Sequence, residues 1–181
     1  MHLIDLSVPL YDGMPVYEGD PPVRVTKVCT REKDGWEVRQ LHMGTHTGTH
    51  VDVPVHMHEG GSNLDGVPLT QYCGPAVVVT VGAVSYPVKM GLLFYESVPA
   101  DCVSRIVAAE APFVGGPLEE ETERLLLGHG IITYTDLTNV EELIEKRFMF
   151  YGFPLRIQGG DGSPVRAVAI VDDRSGCRGG D

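Results

Sequence analysis

Between His46 and His56 the chain reads HTGTHVDVPVH, with three histidines and one aspartate at even positions only. Extending the count outward, His42, His46, His50, Asp52, His56 and His58 all share this parity. In an extended chain, residues two apart face the same side. Groups able to ligate a metal or move protons would then line one face, while Thr45, Thr47, Thr49, Val51, Val53 and Val55 turn to the other. Alternate strand residues stand ~7 Å apart, so His46 and His50 reach one ion only if the chain bends between them. Gly48 lies midway and permits that bend.

Two neutral imidazoles and a carboxylate form a donor set for Zn2+, Mn2+ or Fe2+, and three protein ligands leave a position for water. A bound divalent ion lowers the pKa of that water to about 7, supplying hydroxide as a nucleophile near neutral pH. His56, beyond Asp52 and behind the stiffening Pro54, is placed to take a proton from the water and return it to a leaving amine or alkoxide. Spacing alone leaves two plainer readings open: a structural metal, and histidines that are surface groups or satisfied core residues.

These side chains need a scaffold, and the surrounding pattern predicts one rich in strands. Residues 2–10 alternate loosely and lead into a turn-rich loop, 11–22, where Gly13, Pro15, Gly19, Pro21 and Pro22 prevent regular structure. Residues 23–29 and 36–42 read as a hairpin around the polar turn 31–35. A glycine-rich loop, 58–69, precedes a buried strand at 75–84, and 92–96 reads as another strand. Residues 99–112 hold a short helix or a strand with a turn. Pro117 opens a helix with an acidic first turn, stopped by Gly128 and Gly130 and followed by a strand at 131–137. Thr-Asn-Val-Glu at 138–141 has capping-box spacing and predicts a second, shorter helix to about Lys146. The segment 153–171 reads as two apolar strands joined by a Gly-Asp-Gly-Ser turn, and 172–181 as a flexible tail. Many strands with two late helices indicate an α+β domain with a mixed sheet, spanning 1–171, rather than a doubly wound α/β fold.

Composition narrows the function classes. The chain has 181 residues, 43% of them apolar, enough for one domain with a core that needs no disulfides. A formal charge of −11 without a basic run argues against nucleic acid as a partner. Cys29, Cys73, Cys102 and Cys177 lie far apart, as reduced thiols rather than a zinc knuckle or a disulfide framework. The start, MHLIDLSVPL, carries no export signal and no apolar run approaches a membrane span, so the expected setting is cytoplasmic. Neither phosphate-loop motif nor a G-x-S-x-G elbow occurs. The glycines at 159–162 read as a turn.

At the histidine stretch the sequence resembles a known family. HTGTHVDVPVH matches the H-x-G-T-H-x-D-x-P-x-H signature of the metal-dependent cyclase-like hydrolases, which include bacterial kynurenine formamidases and isatin hydrolases. The likeness extends to P-V-Y-E-G-D at 15–20, V-P-L at 67–69, G-P-A at 74–76 and P-L-R-I-x-G-G-D-G-S-P-V-R-A-V at 154–168. It implies metal ligation by His46, His50 and Asp52, with His56 as proton donor and acceptor. Tyr17 stands where kynurenine formamidases have a substrate-contacting tryptophan; the alternative for it is a loop anchor packed on the core.

Two-metal members of the family use a histidine on the late helix and a glutamate twelve residues later. Glu123 and Thr135 occupy those positions here. Glu123 is then a second-site ligand or a solvated helix residue, and Thr135 is a poor substitute for a bridging carboxylate. One divalent metal per chain, Zn2+ or Mn2+, is the implied cofactor, with two as the alternative. Asp136 and Glu141 are the nearby carboxylates that a different register would bring in.

The resemblance further implies a swivelling β/β/α domain assembled as a homodimer or homotetramer, with loops such as 11–22 closing a neighbour's site. The implied activity is hydrolysis of a small amide, formamide or lactam by metal-bound hydroxide. The best-named example is kynurenine formamidase, which converts N-formylkynurenine to kynurenine and formate in tryptophan catabolism. The alternatives are an isatin-hydrolase-like cyclic amide or lactone hydrolase with one metal, and a noncatalytic metal- or ligand-binding oligomer.

Overall fold

The computed structural model describes residues 1–171; the expected flexible tail, 172–181, lies outside the described residues. In chain order the elements are β1 (His2–Asp5), β2 (Arg24–Cys29), α1 (Arg31–Asp34), β3 (Val38–His42), β4 (His50–Asp52), β5 (Cys73–Val78), β6 (Gly91–Leu93), α2 (Val103–Ala108), β7 (Phe113–Gly115), α3 (Glu120–Gly128), β8 (Ile132–Thr135), β9 (Arg147–Tyr151), β10 (Gly162–Pro164) and β11 (Val168–Val171). Nine strands form one mixed sheet in the order β1-β11-β9-β5-β6-β7-β8-β4-β10, parallel from β5 to β8 and antiparallel elsewhere. This is an α+β fold, and β2 and β3 form a separate two-stranded hairpin beside it.

The period-two alternation of strand side chains divides the core between the two faces of the sheet. Leu93 and Phe113 pack with Tyr134, Phe150 and Val51. Their neighbours Leu92 and Val114 face the opposite way, onto Ile106 of α2 and Leu126 of α3. Strands β6 and β7 are therefore buried on both sides, as parallel strands at the centre of a sheet require. Cys29, Cys73 and Cys102 are free thiols.

Three local expectations change. Helix α3 begins at Glu120 rather than at Pro117 because Leu118 is held in a bridge to Val98 and Glu119 stays extended, with φ −70° and ψ 147°. The second late helix contracts to a 3-10 turn, Val140–Leu143. Asn139 there adopts φ 58°, and its side-chain amide donates to the Asp5 carbonyl at 2.9 Å instead of capping a helix.

The closing pair of strands is not a hairpin about 159–162. Strand β10 crosses to β4, and β11 pairs with β1 and β9. Only the bridge between Pro154 and Val165 remains of the expected pairing. Pro164 has no N–H to give and is accommodated because β10 is an edge strand.

Candidate active site

Strand β4 is the spine of the site. His50 stands between Thr135 of β8 and Pro164 of β10, and Asp52 stands between Thr133 and Gly162. The chain turns at Gly48, whose φ of +60° is left-handed and ill suited to a side chain. That turn folds His46 back, so the His46 and His50 rings meet at 5.4 Å between centroids, nearly perpendicular. After Asp52, Pro54–His56 forms a 3-10 turn and carries the His56 ring onto His46, with centroids 3.9 Å apart.

The intervening threonines anchor this bent segment from behind. Thr49 accepts from the Val8 N–H at 3.0 Å and donates to the Asp136 carbonyl at 2.5 Å, and Thr47 donates to the Gly44 carbonyl at 2.9 Å.

Parity organises only the three residues of β4, because the chain on either side is not extended. His42 remains on the exposed β2–β3 hairpin. His58 turns to α3, where its Nε2–H donates to the Arg124 carbonyl at 2.7 Å. The continuous face of six groups expected from spacing is thus replaced by a cluster of His46, His50, Asp52 and His56.

A carboxylate from far along the chain completes the cluster. Asp161 Oδ2 lies 2.9 Å from His46 Nε2 and 3.8 Å from His56 Nδ1, while Thr45 donates to Asp161 Oδ1 at 3.0 Å. On its other side, His46 Nδ1 meets Asp52 Oδ1 at 2.5 Å. Burial favours the neutral imidazole, but hydrogen bonds to Asp52 and then to Asp161 outweigh it, pushing the His46 pKa up to about 9. The same pairing holds Asp161 below the usual carboxylate range against its own partial burial. His56 moves the opposite way: burial first, then the charge of His46, lower its pKa.

His50 is held differently. Its Nδ1 lies 2.6 Å from the Gly48 carbonyl and its Nε2 lies 2.9 Å from the Thr135 hydroxyl. The tautomer that satisfies both carries the proton on Nδ1 and a lone pair on Nε2. A backbone carbonyl on the distal N–H is the usual support of a metal-ligating imidazole. Nε2 is 3.5 Å from Asp52 Oδ1.

The donor set suits a divalent cation. Ligand atoms of His46, Asp52 and His56 lie within 4.8 Å of one another, and His50 Nε2 flanks the same Asp52 oxygen. Imidazole and carboxylate are ligands for first-row divalent ions. Asp52 is 1% exposed, and its Oδ2 meets no N–H or O–H donor of ordinary protonation. Such a carboxylate requires a cation or a proton nearby.

Glu123 is not a solvated helix residue. Its carboxyl turns inward from α3, takes a hydrogen bond from Thr133 Oγ1 at 2.8 Å and faces Asp52. Burial, and then the charge of Asp52, push its pKa up to about 8. Thr135 is engaged with His50, and Asp136 offers its backbone carbonyl to Thr49. Tyr17 is 77% exposed and is not an anchor on the core; among the described residues no hydrogen bond or ring contact joins it to the histidines.

The local sequence marks neither Asp161 nor Thr133 as a site residue. Asp161 lies in Gly-Gly-Asp-Gly-Ser-Pro, a segment whose local pattern reads as a turn. Its signal is the flanking Gly162: a Cβ there would stand 2.5 Å from His46 Cε1 and 2.9 Å from the Val51 carbonyl oxygen, so the glycine admits the imidazole.

The fold is shared first with solved structures that have the same sheet. An isatin hydrolase from Labrenzia aggregata, bound to benzyl benzoate, has the same fold with a TM-score of 0.81 and 19% identity, over 94% of this chain and 93% of that one. A second isatin hydrolase, bound to the product analogue thioisatinate, superimposes with a TM-score of 0.82 at 16% identity, over 94% and 92% of the two chains. The Cyclase family, described as "Putative cyclase", matches residues 4–102, over half of the chain. Kynurenine formamidase of Salinibacter ruber is 32% identical, over 93% of this chain and 97% of that protein. The chain belongs to the cyclase family and is an enzyme of the hydrolase class.

Proposed function

We propose that this hydrolase cleaves the C–N bond of a small amide, with N-formylkynurenine as the first substrate to test and cyclic amides such as isatin as the second. The observation that carries the reading is the convergence of His46, His50, Asp52 and His56 with Asp161 in one half-buried cluster. The likeness to kynurenine formamidases supports the formamide. Two features favour the cyclic amide. Tyr17 presents a smaller aromatic face than tryptophan, and Glu123 and Thr135 stand where two-metal members have histidine and glutamate.

His46, His50 and Asp52 hold one divalent cation, Zn2+ or Mn2+, and Tyr17 contacts the substrate. When bound, the cation supplies Lewis acidity and lowers the pKa of water to about 7. His56 is the proton carrier. With Nδ1 turned toward Asp161, its Nε2 is the nitrogen left to accept a proton from the attacking water. As the new C–O bond forms and the C–N bond breaks, His56 returns that proton to the leaving nitrogen, giving a carboxylate and an amine.

Asp161 orients His46 and His56 without touching the carbonyl. Asp52 itself is buried away from bulk water, which strengthens its interaction with His46.

The assembly is a homodimer or homotetramer. An isolated two-stranded hairpin is only marginally stable in water, yet Val28, Trp36, Val38 and Leu41 of the β2–β3 hairpin are exposed. A second copy covering them would also bring the loop 11–22 toward a neighbouring site. Light scattering on the purified protein tests this assembly. Among the described residues no helix is long and apolar enough to cross a membrane.

The functional test is metal content per chain followed by hydrolysis of N-formylkynurenine, aryl formamides, isatin and simple lactones. Protein with full metal occupancy that hydrolyses none of them would overturn the reading in favour of a noncatalytic metal- or ligand-binding oligomer.

A further inference from the structure

The turn that carries His56 is closed on itself. The His58 N–H donates to the Pro54 carbonyl at 3.0 Å, the Gly61 N–H to the His58 carbonyl at 3.0 Å, and the Val55 N–H to the Ser62 carbonyl at 3.2 Å. Gly61 completes the closure by close approach, since a Cβ there would stand 2.6 Å from the Pro54 carbonyl carbon. Residues 54–62 therefore move as one piece, and a shift at His58 passes to His56.

His58 fastens this piece to α3. Its ring is half-buried, and Nε2–H donates to the Arg124 carbonyl at 2.7 Å. That carbonyl lies in the second half of the helix, toward the negative end of its dipole, where an N–H donor is favoured. Gly128, one turn on, leaves room for the ring: a Cβ there would stand 3.1 Å from both His58 Cε1 and His58 Nε2. Gly130 takes a left-handed φ of +76° after the helix, whereas Gly128 does not; what the bare Cα of Gly128 admits is the imidazole.

The tether matters because the proton carrier has none of its own. Among the described residues no hydrogen bond reaches the His56 ring: Nδ1 is 3.8 Å from Asp161 Oδ2, and the ring rests on His46 with centroids 3.9 Å apart. Its aim is set by the backbone beneath it. We propose that His58 is a positioning residue for the proton carrier: its ring, seated against Gly128 and bonded to the Arg124 carbonyl, fixes the turn that aims His56 at the substrate. The inference rests on the proposed role of His56 in amide hydrolysis. His58 itself touches neither cation nor substrate.

The test compares His58→Leu, His58→Gln and Gly128→Ala in the full chain with its cation bound. It reads kcat and KM on the amide that the wild type hydrolyses, cation affinity by chelator competition, melting temperature, and the His56 ring signals by NMR. His58→Leu is expected to lower kcat by about tenfold to a hundredfold, the cost of a small misplacement. KM and cation affinity should hold, and the His56 ring signals should move. His58→Gln places an NH2 where Nε2–H stood and is expected to restore most of kcat. Gly128→Ala keeps the histidine but pushes its ring off the Arg124 carbonyl. There kcat is expected to fall while the melting temperature holds or rises, since alanine favours a helix over glycine.

Wild-type kcat in both His58→Leu and Gly128→Ala would overturn the proposal. So would a loss of cation affinity that matches the loss of kcat, which would make His58 a support of the metal cluster instead. If His58→Leu fails to fold, Gly128→Ala decides alone. A wild type that hydrolyses none of the amides would defeat the functional reading, and the His56 ring signals would still decide the role of His58. Moved in His58→Leu and Gly128→Ala but not in His58→Gln, they support it; unmoved in all three, they overturn it.

Discussion

His46 Nε2 and Asp161 Oδ2 lie 2.9 Å apart although 115 residues separate them in the chain. This bond ties the histidine stretch to β10 and stands beside the proton carrier, since the same Asp161 oxygen is 3.8 Å from His56 Nδ1. Asp161→Asn keeps the shape and removes the charge. It is expected to lower both cation affinity and kcat by about tenfold to a hundredfold, as loss of an outer support does. The melting temperature should change little. Chelator competition and steady-state kinetics on the same preparation check this, and an Asp161→Asn enzyme with wild-type kcat would remove Asp161 from the machinery.

The protonation of His46 sets how cation uptake depends on pH. Its pKa is 6.5 in the ordinary state and about 9 beside Asp52 and Asp161, so the stabilisation from its carboxylate partners is fully present below pH 6.5. It is lost as pH rises through 9. Below that point a cation must displace the His46 proton, so binding releases a proton and affinity rises with pH by about tenfold per unit. Above pH 9 the slope should flatten. Calorimetric titrations in two buffers of different ionisation enthalpy measure the proton count directly, and a pH-independent affinity from 7 to 8.5 would contradict the His46 pairing.

His50 and His56 are separable by substitution. His50→Ala removes the imidazole whose Nδ1 is tied to Gly48 and is expected to lose the cation at micromolar metal. His56→Ala is expected to keep it while kcat falls by about a hundredfold to ten thousandfold, the usual contribution of a proton carrier. Geometry makes the comparison sharp, because His46, Asp52 and His56 form the tightest trio of ligand atoms. Loss of the cation in His56→Ala with retention in His50→Ala would exchange their roles.

How much of this site can be read from sequence depends on how local each determinant is. Four of its groups lie within eleven residues, and the bend at Gly48 is legible because a left-handed φ of +60° suits few other residue types. The end of α3 is local too, marked by Gly128 and Gly130. Parity misleads once the backbone leaves the extended state, which sends His42 and His58 elsewhere. Asp161 is illegible for another reason. Gly-Asp-Gly-Ser satisfies every local rule for a turn, and only the pairing of β10 with β4 places it beside His46. Glu123 belongs to the same class: helix periodicity cannot say that its carboxyl meets Thr133 and Asp52 across the α3–β8 contact.

Gly162 tests whether the backbone of β10 shapes the site. It pairs with Asp52, and its bare Cα lies against the His46 ring, where an added methyl would be 2.5 Å from Cε1. The ring has little room to retreat, since Asp52 and Asp161 grip both its nitrogens. The methyl would also stand 2.9 Å from the Val51 carbonyl oxygen, a backbone atom in the adjoining strand. Gly162→Ala is therefore expected to destabilise the fold by about 1–3 kcal/mol, the usual range for overpacking. It should also weaken cation binding, because His46 or β4 must shift to admit the methyl. Thermal melts with and without added Zn2+ separate the two effects: the metal-free melting temperature should fall, and the rise on adding Zn2+ should shrink. A variant that melts lower yet keeps the full Zn2+-induced rise would mean that the strain is absorbed in β10 and that His46 does not need this contact to bind the cation.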